Sequence, residues 1–456
     1  MSDKDEGPKP DEVAEMLLSE LSLVALADTD EVLSYDGGVY TFGAEAVLAE
    51  KIEAGFQELG KAEKSTNNFT KEVLGHIRRR RYVKRDLFDR DPFLINLKNG
   101  LLDLRTFEVK AHTSEYHSLV QLPIEYNPTA DCPKNKKFLS EVTYPEDIPC
   151  LQEMVGSLLW RENRIQQALL LIGSGSNGKT TFINTIKALL GTENIVARSL
   201  QDLEQNRFAR ADLFGKLANL YPDLPDSALK SVGTFKSLTG NDPITCEKKF
   251  QHSFTYTPYC KLIFSCNKPP EVYEDSKAFF RRWVLISFPN SFEGPTDNRN
   301  LLQELTTPEE LSGFLNWAIE GLKRLQSQGW HFSYSKSADE VRKEYIRKSS
   351  PVKAFLEYAC LKDTGLYAVK SELYRSFIEY CIKNKLPTIS KPSFFLKLPQ
   401  FAPEITTSQH TINGRKGVWC YEGIAVKAKE KWDEEPEKEE DDPVESKKDG
   451  QDQLYA

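Results

Sequence analysis

The chain has 456 residues, of which 39% are hydrophobic and 28% are charged, and its formal net charge is −8. This composition is typical of a soluble globular protein and leaves room for two to four domains. No run approaches the roughly 18 apolar residues of a membrane span, and the acidic start offers no apolar secretory segment, so we expect a cytoplasmic protein with no membrane partner.

The negative charge is concentrated towards the end of the sequence. Residues 430–456 hold twelve acids and four lysines, so the rest of the chain is neutral overall. A neutral body can still carry local basic patches, and the charge therefore does not exclude nucleic acid as a partner. The eight cysteines form no C-x-x-C pair, which disfavours a zinc site and favours reduced thiols.

Residues 1–85 form the first predicted region, which we expect to be helical and partly disordered. Helical periodicity extends over 12–60, and "HIRRRRYVKR" at 76–85 places six basic residues among ten. Such a run is either a solvated helix face or a patch that contacts phosphates. The sequence leaves both interpretations open.

Residues 86–160 are predicted to form an α+β domain that precedes the main one. "FLINLKNGLLDLRTFEV" at 93–109 alternates apolar positions around Asn99–Gly100. This pair supplies the positive φ of a tight turn, so we predict a β-hairpin. A loop punctuated by prolines follows, and helical periodicity then runs from about 135 to 160.

Residues 161–330 are predicted to form the main domain. Within it, residues 165–290 alternate strand and helix patterns, which indicates an α/β layer. "QQALLLI" is typical of a buried strand, "TTFINTIKALL" of a helix, and between them "GSGSNGKT" matches G-x-x-x-x-G-K-[ST]. Small residues let the backbone N–H groups point at phosphate oxygens. The loop therefore predicts an ATP site formed by Gly173, Ser174, Gly175, Ser176, Asn177, Gly178, Lys179, Thr180 and Thr181.

Two side chains of this loop have more specific roles. Lys179, which we expect in a solvated position, should reach the β- and γ-phosphates, and the Thr180 hydroxyl should bind Mg²⁺. The helix that starts near Lys179 adds the positive end of its dipole to the same place.

Polar residues follow two later apolar strands. "KLANLYPDLPD" carries Asp223 after its strand, where a carboxylate can orient the Mg²⁺ shell, and Asp226 lies three residues further on. "YCKLIFSCNKPP" carries Asn267, whose amide can position the attacking water. All three are candidate catalytic residues.

A pair of arginines precedes another strand in "KAFFRRWVLISF" at 277–288. Arg281 and Arg282 are either structural or include an arginine finger that reaches the nucleotide of a neighbouring subunit. The apolar spacing in 311–329 then predicts a helix that ends at a glycine.

Residues 345–426 predict three helices followed by the hairpin "HTINGRKGVWCYEG". This order is typical of a winged-helix-like domain, in which Arg415 and Lys416 at the wing tip would contact DNA phosphates. Docking of a protein is the alternative role. Residues 428–456 have almost no apolar residues and predict an acidic disordered tail, which either competes with DNA or docks a replication partner.

The order of these motifs resembles superfamily III helicases, the ring ATPases of small DNA viruses, phages and plasmids. Lys179, Asp223 and Asn267 follow one another at intervals of 44 residues. "LINLKNGLLDLRT" followed by "YNPTADCP", together with "LTGNDPITCEKKF" and "FSCNKPP", is similar to the phage and plasmid primase-helicase group related to the poxvirus helicase–primase ATPase. The resemblance covers about residues 85–425.

The resemblance implies an α/β fold with a P-loop AAA+-like ATPase core. It implies an ATP-driven DNA helicase of phage, virus or plasmid replication in the host cytoplasm, acting on single-stranded and forked DNA. The expected assembly is a homo-oligomeric ring, and the family leads us to expect six subunits. Head-to-tail interfaces can close into such rings. A separate primase or replication protein is a further expected partner.

The resemblance also assigns Lys248, Lys249 and Phe250 to a hairpin that projects into the ring channel. Lysines can track phosphates, and an aromatic ring can stack on a base without sequence preference. A solvated β-turn is the alternative interpretation of this segment.

Two departures from the group affect the prediction. Leu224 follows Asp223 where many members have a second acid, so either Asp226 takes that role or the general base lies elsewhere. Only about 85 residues precede the helicase part, too few for a primase-polymerase domain. Two other functions remain: a small-molecule P-loop kinase, which would need a substrate lid, and a non-translocating origin-binding or scaffold ATPase.

Overall fold

A computed structural model describes residues 7–248, 253–274, 276–294 and 298–433 of the chain. The chain divides into two compact units, Met1–Tyr345 and Ile346–Ala456. The first unit contains the N-terminal region, the parallel sheet and the long helix that covers it, and the second is a smaller α+β module.

The N-terminal region combines three helices with a four-stranded sheet of order β3-β2-β1-β4. Its helices bury one apolar face against that sheet, with Leu48, Ile52 and Phe56 among the core residues. The prediction of a helical region was incomplete, because strands of four or five residues are too short to show a clear period. Its elements are α1 (Pro10–Glu20), β1 (Leu23–Leu26), β2 (Val32–Asp36), β3 (Val39–Phe42), α2 (Ala44–Glu58), α3 (Asn67–Arg81) and β4 (Tyr82–Val83).

The predicted β-hairpin around Asn99–Gly100 is present. Leu97 pairs with Gly100, whose φ is 140° and whose added Cβ would lie 2.3 Å from the Lys110 carbonyl oxygen, so only glycine fits. The helical periodicity from 135 to 160 is divided into two helices. These elements are β5 (Leu94–Leu97), β6 (Gly100–Asp103), β7 (Glu108–Lys110), α4 (Pro133–Val142) and α5 (Ile148–Ser157).

A five-stranded sheet, parallel at every pairing, forms the centre of the first unit and confirms the predicted α/β layer. Its strand order is β14-β8-β13-β10-β9, so β8 lies between β13 and β14, the last two strands of this sheet in chain order. The elements are β8 (Ala168–Ile172), α6 (Lys179–Leu190), β9 (Ile195–Val196), α7 (Leu200–Gln205), β10 (Ala218–Tyr221), α8 (Gly233–Thr239), β11 (Ile244–Cys246), β12 (Phe254–Tyr256), β13 (Lys261–Cys266), α9 (Lys277–Phe280) and β14 (Trp283–Ser287).

A long helix joins the sheet to the preceding α+β segment. α10 (Leu301–Leu305) leads into α11 (Pro308–Ser327), which packs against α5. The two helices approach closely at Gly156 and Gly321, where an added Cβ would lie within 2.4 Å of a carbonyl oxygen of the other helix. One hydrophobic core includes residues from 95 to 332, so the boundary predicted at 160/161 runs through a shared core.

The second unit alternates helices with a three-stranded antiparallel sheet of order β15-β17-β16. The strand β15 falls where only helices were predicted, and it pairs with β17, 51 to 66 residues away in the chain. The elements are α12 (Ala338–Ser349), which begins in the first unit, α13 (Pro351–Tyr358), β15 (Cys360–Val369), α14 (Lys370–Lys383), α15 (Lys391–Phe401), β16 (Thr406–Ile412) and β17 (Arg415–Val426).

The described chain remains packed beyond the last strand. Trp432 is 5% exposed, and the Asp433 N–H donates to the Tyr358 carbonyl at 3.1 Å. The first residues of the predicted tail at 428–456 are therefore part of the second unit. Residues 434–456 lie outside the described residues.

Candidate functional site

The glycine-rich loop links β8 to α6 at the carboxyl edge of the parallel sheet. Gly175 and Gly178 have φ values of 106° and 87°, and Ser176 has a φ of 45°. Left-handed backbone of this kind lets successive N–H groups turn to one side, which forms a concave anion site. The loop ends at Lys179, the first residue of α6.

Close contacts at both ends of the loop explain its glycines. A Cβ on Gly173 would lie 1.9 Å from Asn177 Nδ2 and 2.6 Å from the Phe288 carbonyl oxygen. Asn177 Nδ2 donates to that same carbonyl at 3.2 Å, which ties the loop to the segment after β14. A Cβ on Gly178 would meet Val142 Cγ1 at 2.7 Å, so the start of α6 also packs against α4.

Lys179 is held by oxygen atoms from two strand ends. Its Nζ donates to the Gly173 carbonyl at 2.8 Å, to Asn177 Oδ1 at 2.9 Å and to Asn267 Oδ1 at 3.3 Å. The expectation of a solvated lysine was wrong, because the residue is only 5% exposed. Burial lowers the pKa of Lys179, and the negative charge of Asp223 acts in the opposite direction.

Asp223 and Asp226 occupy different surroundings after β10. Asp223 is exposed and lies within electrostatic reach of Lys179, and the next residue is fixed because the Leu224 N–H donates to the Ser265 carbonyl at 2.7 Å. Asp226 faces solvent, with Lys268 Nζ 4.0 Å from its Oδ2. The structure therefore brings Asp223, but not Asp226, into the electrostatic surroundings of Lys179.

Arg281 and Arg282 lie at the opposite edge of the sheet from the loop. They precede β14, which runs parallel to β8 with Trp283 beside Ala168. Five residues of strand separate that end from the loop, a distance of about 16 Å. Within a single subunit, the arginines therefore lie away from the loop.

The two arginines differ in their own environments. Arg281 is exposed, whereas Arg282 is half-buried and its guanidinium donates to the Ala278 carbonyl. Burial lowers the pKa of Arg282, and the positive charge of Arg281 lowers it further. Among the described residues, Arg282 Nε is buried without a hydrogen-bond partner.

Lys248, predicted to contact DNA, is ion-paired inside the first unit. Its Nζ lies 2.8 Å from Glu31 Oε1 and 4.9 Å from the centre of the Phe42 ring. Lys249 and Phe250 lie outside the described residues. Sequence reasoning missed Glu31, and no local pattern could have identified a partner 217 residues away.

Part of the basic run at 76–85 is also paired within the first unit. Arg78 donates to the Asp30 carbonyl, and Arg80 lies 3.1 Å from Glu15. Arg85 makes two hydrogen bonds to one carboxylate, that of Asp28, and its guanidinium lies over the rings of Phe214 and Phe254. These arginines connect α3 and the segment after β4 to neighbouring segments of the first unit, so the run is not simply a solvated helix face.

In the second unit, Arg415 and Lys416 lie exposed at the start of β17. The preceding turn has positive φ at Asn413 and Gly414, as a two-residue hairpin requires. Trp419, which sequence reasoning did not single out, is 52% exposed with Lys370 Nζ 5.0 Å from its ring. A basic and aromatic surface therefore follows this hairpin.

All eight cysteines lie within the described residues, and each is buried and free of disulfides. No helix in the described part of the chain is both long and apolar enough to cross a bilayer.

Two family models match separate parts of the chain. Residues 17–144 match a family described as "D5 N terminal like", and residues 171–282 match a family of unknown function, DUF5906. The second match includes the glycine-rich loop and ends at Arg282.

Two viral proteins are related to the chain at low identity. "Putative helicase 121R" of Invertebrate iridescent virus 3 is 22% identical over 350 residues, which is 68% of this chain and 37% of that protein. "Putative helicase L207/L206" of Acanthamoeba polyphaga mimivirus is 24% identical over 146 residues, 30% of this chain and 15% of that protein. The matched part of the chain thus spans well under two thirds of either relative.

Among solved structures, the apo NrS-1 C-terminal region matches with a TM-score of 0.49 at 11% identity. That match covers 92% of this chain and all of the other chain. A second apo structure of the same region gives a TM-score of 0.48.

The fold and the site together give the class of protein. It is a mixed α/β protein with a parallel sheet and a glycine-rich loop, ending in a lysine, at the carboxyl edge of that sheet. The family match and the viral relatives then confirm the resemblance that the motifs predicted. The chain is thus similar to phage and viral proteins of the primase-helicase type.

Proposed function

We propose that the chain is an ATP-driven DNA helicase of phage, virus or plasmid replication, with a superfamily III, AAA+-like P-loop core. One observation carries the proposal: Lys179, Asn267 and Asp223 come from three different segments and converge at one edge of the parallel sheet. Open α/β sheets bind their ligands at this carboxyl edge. The helicase names of the two viral relatives support the same function.

The loop would hold the phosphates of ATP through its backbone N–H groups. The Lys179 ammonium already rests among three oxygen acceptors, and phosphate oxygens are the ligands that such an ammonium prefers at a helix N-terminus. Asn267, which contacts Lys179, would orient a water at the end of the phosphate chain. The buried position of Lys179 limits the freedom of its ammonium before ATP binds.

Mg²⁺ fits the donor set on the other side of this loop. Thr180 is exposed directly after Lys179, and Asp223 presents an exposed carboxylate at the neighbouring strand end. A hydroxyl, a carboxylate and phosphate oxygens are the hard oxygen ligands that Mg²⁺ takes. The ion would neutralise charge on the phosphates, while Thr180 and Asp223 hold its position.

We propose that Arg281 completes the site of a neighbouring subunit in a homo-oligomeric ring, with six subunits as the family leads us to expect. The support is its placement: it is exposed, and it lies at the sheet edge opposite its own loop. Head-to-tail packing brings opposite edges of adjacent subunits together. Arg282, half-buried and bonded to Ala278, has a packing role in this proposal.

For DNA, we propose two surfaces. The β11–β12 hairpin would contact single-stranded DNA in the ring channel through Lys248 and the residues that follow it. The second unit, whose helices and terminal hairpin suit a winged-helix-like module, would contact forked DNA through Arg415 and Lys416. A separate primase or replication protein completes the proposed partners.

A non-translocating origin-binding or scaffold ATPase is the second candidate. The observation in its favour is Leu224, buried beside Asp223 where a second acid would assist hydrolysis. A slow ATPase would serve as a nucleotide-dependent clamp rather than a motor.

ATP hydrolysis measured with and without single-stranded DNA, together with unwinding of a forked duplex, separates the two candidates. A helicase should hydrolyse ATP faster with DNA and should separate the strands. A scaffold should show the same slow turnover in both conditions and no unwinding. Lys179→Ala is the negative control, and Lys187→Ala, an exposed lysine on the same helix, is its matched control.

A further inference from the structure

A cleft of about 570 Å³ lies in the first unit and is not used by the site described above. It is bordered by the segment after α4, the end of β14 and the loop before α12. The residues that matter here are Tyr144, Glu146, Asp147, Ser287, Tyr334 and Lys336.

The cleft adjoins the glycine-rich loop through two short connections. Ser287 pairs with Ile172, the residue before Gly173, and neighbouring strands lie about 4.8 Å apart. On the other side, the α4 residue Val142 is the one that an added Cβ on Gly178 would meet at 2.7 Å, and Tyr144 follows it by two positions. A ligand whose phosphates occupy the loop could therefore extend directly into this cleft.

The free groups of the cleft suit an uncharged ring with hydrogen-bond donors. Tyr144 is 45% exposed and offers an aromatic face. The Glu146 carboxylate is exposed and has no ion-pair partner within the described ranges. A carboxylate only accepts hydrogen bonds and repels phosphate, so it favours hydroxyl or amino donors.

Two other polar groups of the cleft, those of Tyr334 and Lys336, are already engaged. The Tyr334 hydroxyl accepts from the Leu285 N–H at 3.1 Å, and Lys336 Nζ lies 2.7 Å from Glu344 Oε2. These contacts fix the wall opposite Tyr144 and satisfy its cation. Lys336, the one lysine among these lining residues, is already paired, so the cleft does not favour an anion.

We infer that this cleft receives the nucleoside half of the triphosphate whose phosphates bind the glycine-rich loop. Tyr144 packs against the base, and Glu146 accepts hydrogen bonds from the ribose hydroxyls. This inference rests on the proposed ATP site. Together the two surfaces distinguish a nucleotide from a bare polyphosphate, because only a nucleotide fills both.

Calorimetric titration of the full chain with ATP and with inorganic tripolyphosphate, both with Mg²⁺, tests the inference. Tyr144→Ala should weaken ATP binding about tenfold, the scale of one lost base–aromatic stack. Glu146→Ala should weaken it about tenfold or more, the scale of one lost hydrogen bond to a charged group. Neither change should alter tripolyphosphate binding, so the preference for ATP over tripolyphosphate should fall.

Two controls make the outcomes distinct. Tyr82→Ala removes a tyrosine of equal exposure, 46%, from the N-terminal sheet and should leave both affinities unchanged. Lys179→Ala should weaken both ligands, and if it weakens neither, the proposed ATP site itself is wrong. If Lys179→Ala acts as expected but Tyr144→Ala and Glu146→Ala keep the wild-type preference for ATP, the nucleoside binds elsewhere and the inference is overturned.

Discussion

A binding role was predicted from the sequence for both the glycine-rich loop and the Lys248 side chain. The two differ in how far away in the chain the residues that hold them lie. Lys179 finds two of its three partners within six residues and the third, Asn267, directly after β13, the strand that pairs with β8. Lys248 finds its partner, Glu31, 217 residues away, directly before β2 of the N-terminal sheet. A site made by a backbone turn at a sheet edge is therefore specified locally, whereas the role of a surface lysine depends on what the fold places opposite it.

Lys179→Ala tests the local side of this comparison and should have the largest effect. ATP hydrolysis should fall to background, because no other cation in the loop can take the place of its ammonium. Because Lys179 is buried and bridges Asn177 and Asn267, we also expect a lower thermal midpoint, measured by circular dichroism. Turnover comparable to that of the Lys187→Ala control would contradict the ATP site.

Arg281 and Arg282 are neighbours in sequence whose environments separate them. Arg281→Ala should reduce turnover about 10³-fold or more, as loss of an arginine finger does. Arg282→Ala should mainly lower the thermal midpoint, since its guanidinium holds the Ala278 carbonyl. Mixing Arg281→Ala with Lys179→Ala protein should restore some activity, because one interface in a mixed ring can be intact; the absence of rescue in every mixture would argue against a shared site.

Asp223 and Asp226 lie three residues apart in one short segment, and their different surroundings predict different losses of ATP hydrolysis. Asp223→Asn should bind ATP but hydrolyse it about 10²-fold more slowly, because the amide holds the Mg²⁺ shell less well. Asp226→Asn should cost less than that, because its carboxylate faces solvent and Lys268. Single-turnover hydrolysis measures both, and a loss of 10² or more at Asp226 would identify it as the general base after all.

The Lys248–Glu31 pair tests the other part of the comparison, the lysine whose partner is distant in the chain. Glu31→Gln removes the partner charge and should tighten binding of single-stranded DNA several-fold at low salt, while Lys248→Ala should weaken it. Fluorescence anisotropy with a labelled oligonucleotide across a salt series measures both. Because Glu31 also lies 3.9 Å from Arg85, the thermal midpoint must be followed in parallel. Unchanged affinity in both variants would show that Lys248 has a structural role only.

The acidic C-terminal segment should give the smallest effect. Deletion of residues 434–456 removes ten acids and three lysines and should tighten DNA binding a few-fold at low salt. The difference should fade as salt screens it, with a Debye length of about 10 Å at 0.1 M. Deletion from 430 also removes Trp432, which is buried, and should destabilise the second unit as well. Equal DNA affinity of the full and 434–456-deleted chains at every salt would leave partner docking as the role of this segment.

Much of the fold followed from periodicity and turn chemistry. The hairpin at Asn99–Gly100, the alternation of strands and helices after residue 161 and the glycine-rich turn are local patterns, and all three are present. The short N-terminal strands and β15 were missed. Their pairing partners are distant or their apolar runs are brief, so no local period reveals them.

The sequence by itself determined the loop, because glycine spacing and the lysine after it dictate a left-handed turn ending in a helix. It also indicated that Asp223 and Asn267 end strands, and parallel strands end at one edge. Only the tertiary structure decided that Lys179 is buried, that Arg281 and Arg282 lie at the far edge, and that Lys248 pairs with Glu31. Burial and ion pairing depend on which distant segments pack together, and a single linear pattern does not encode that.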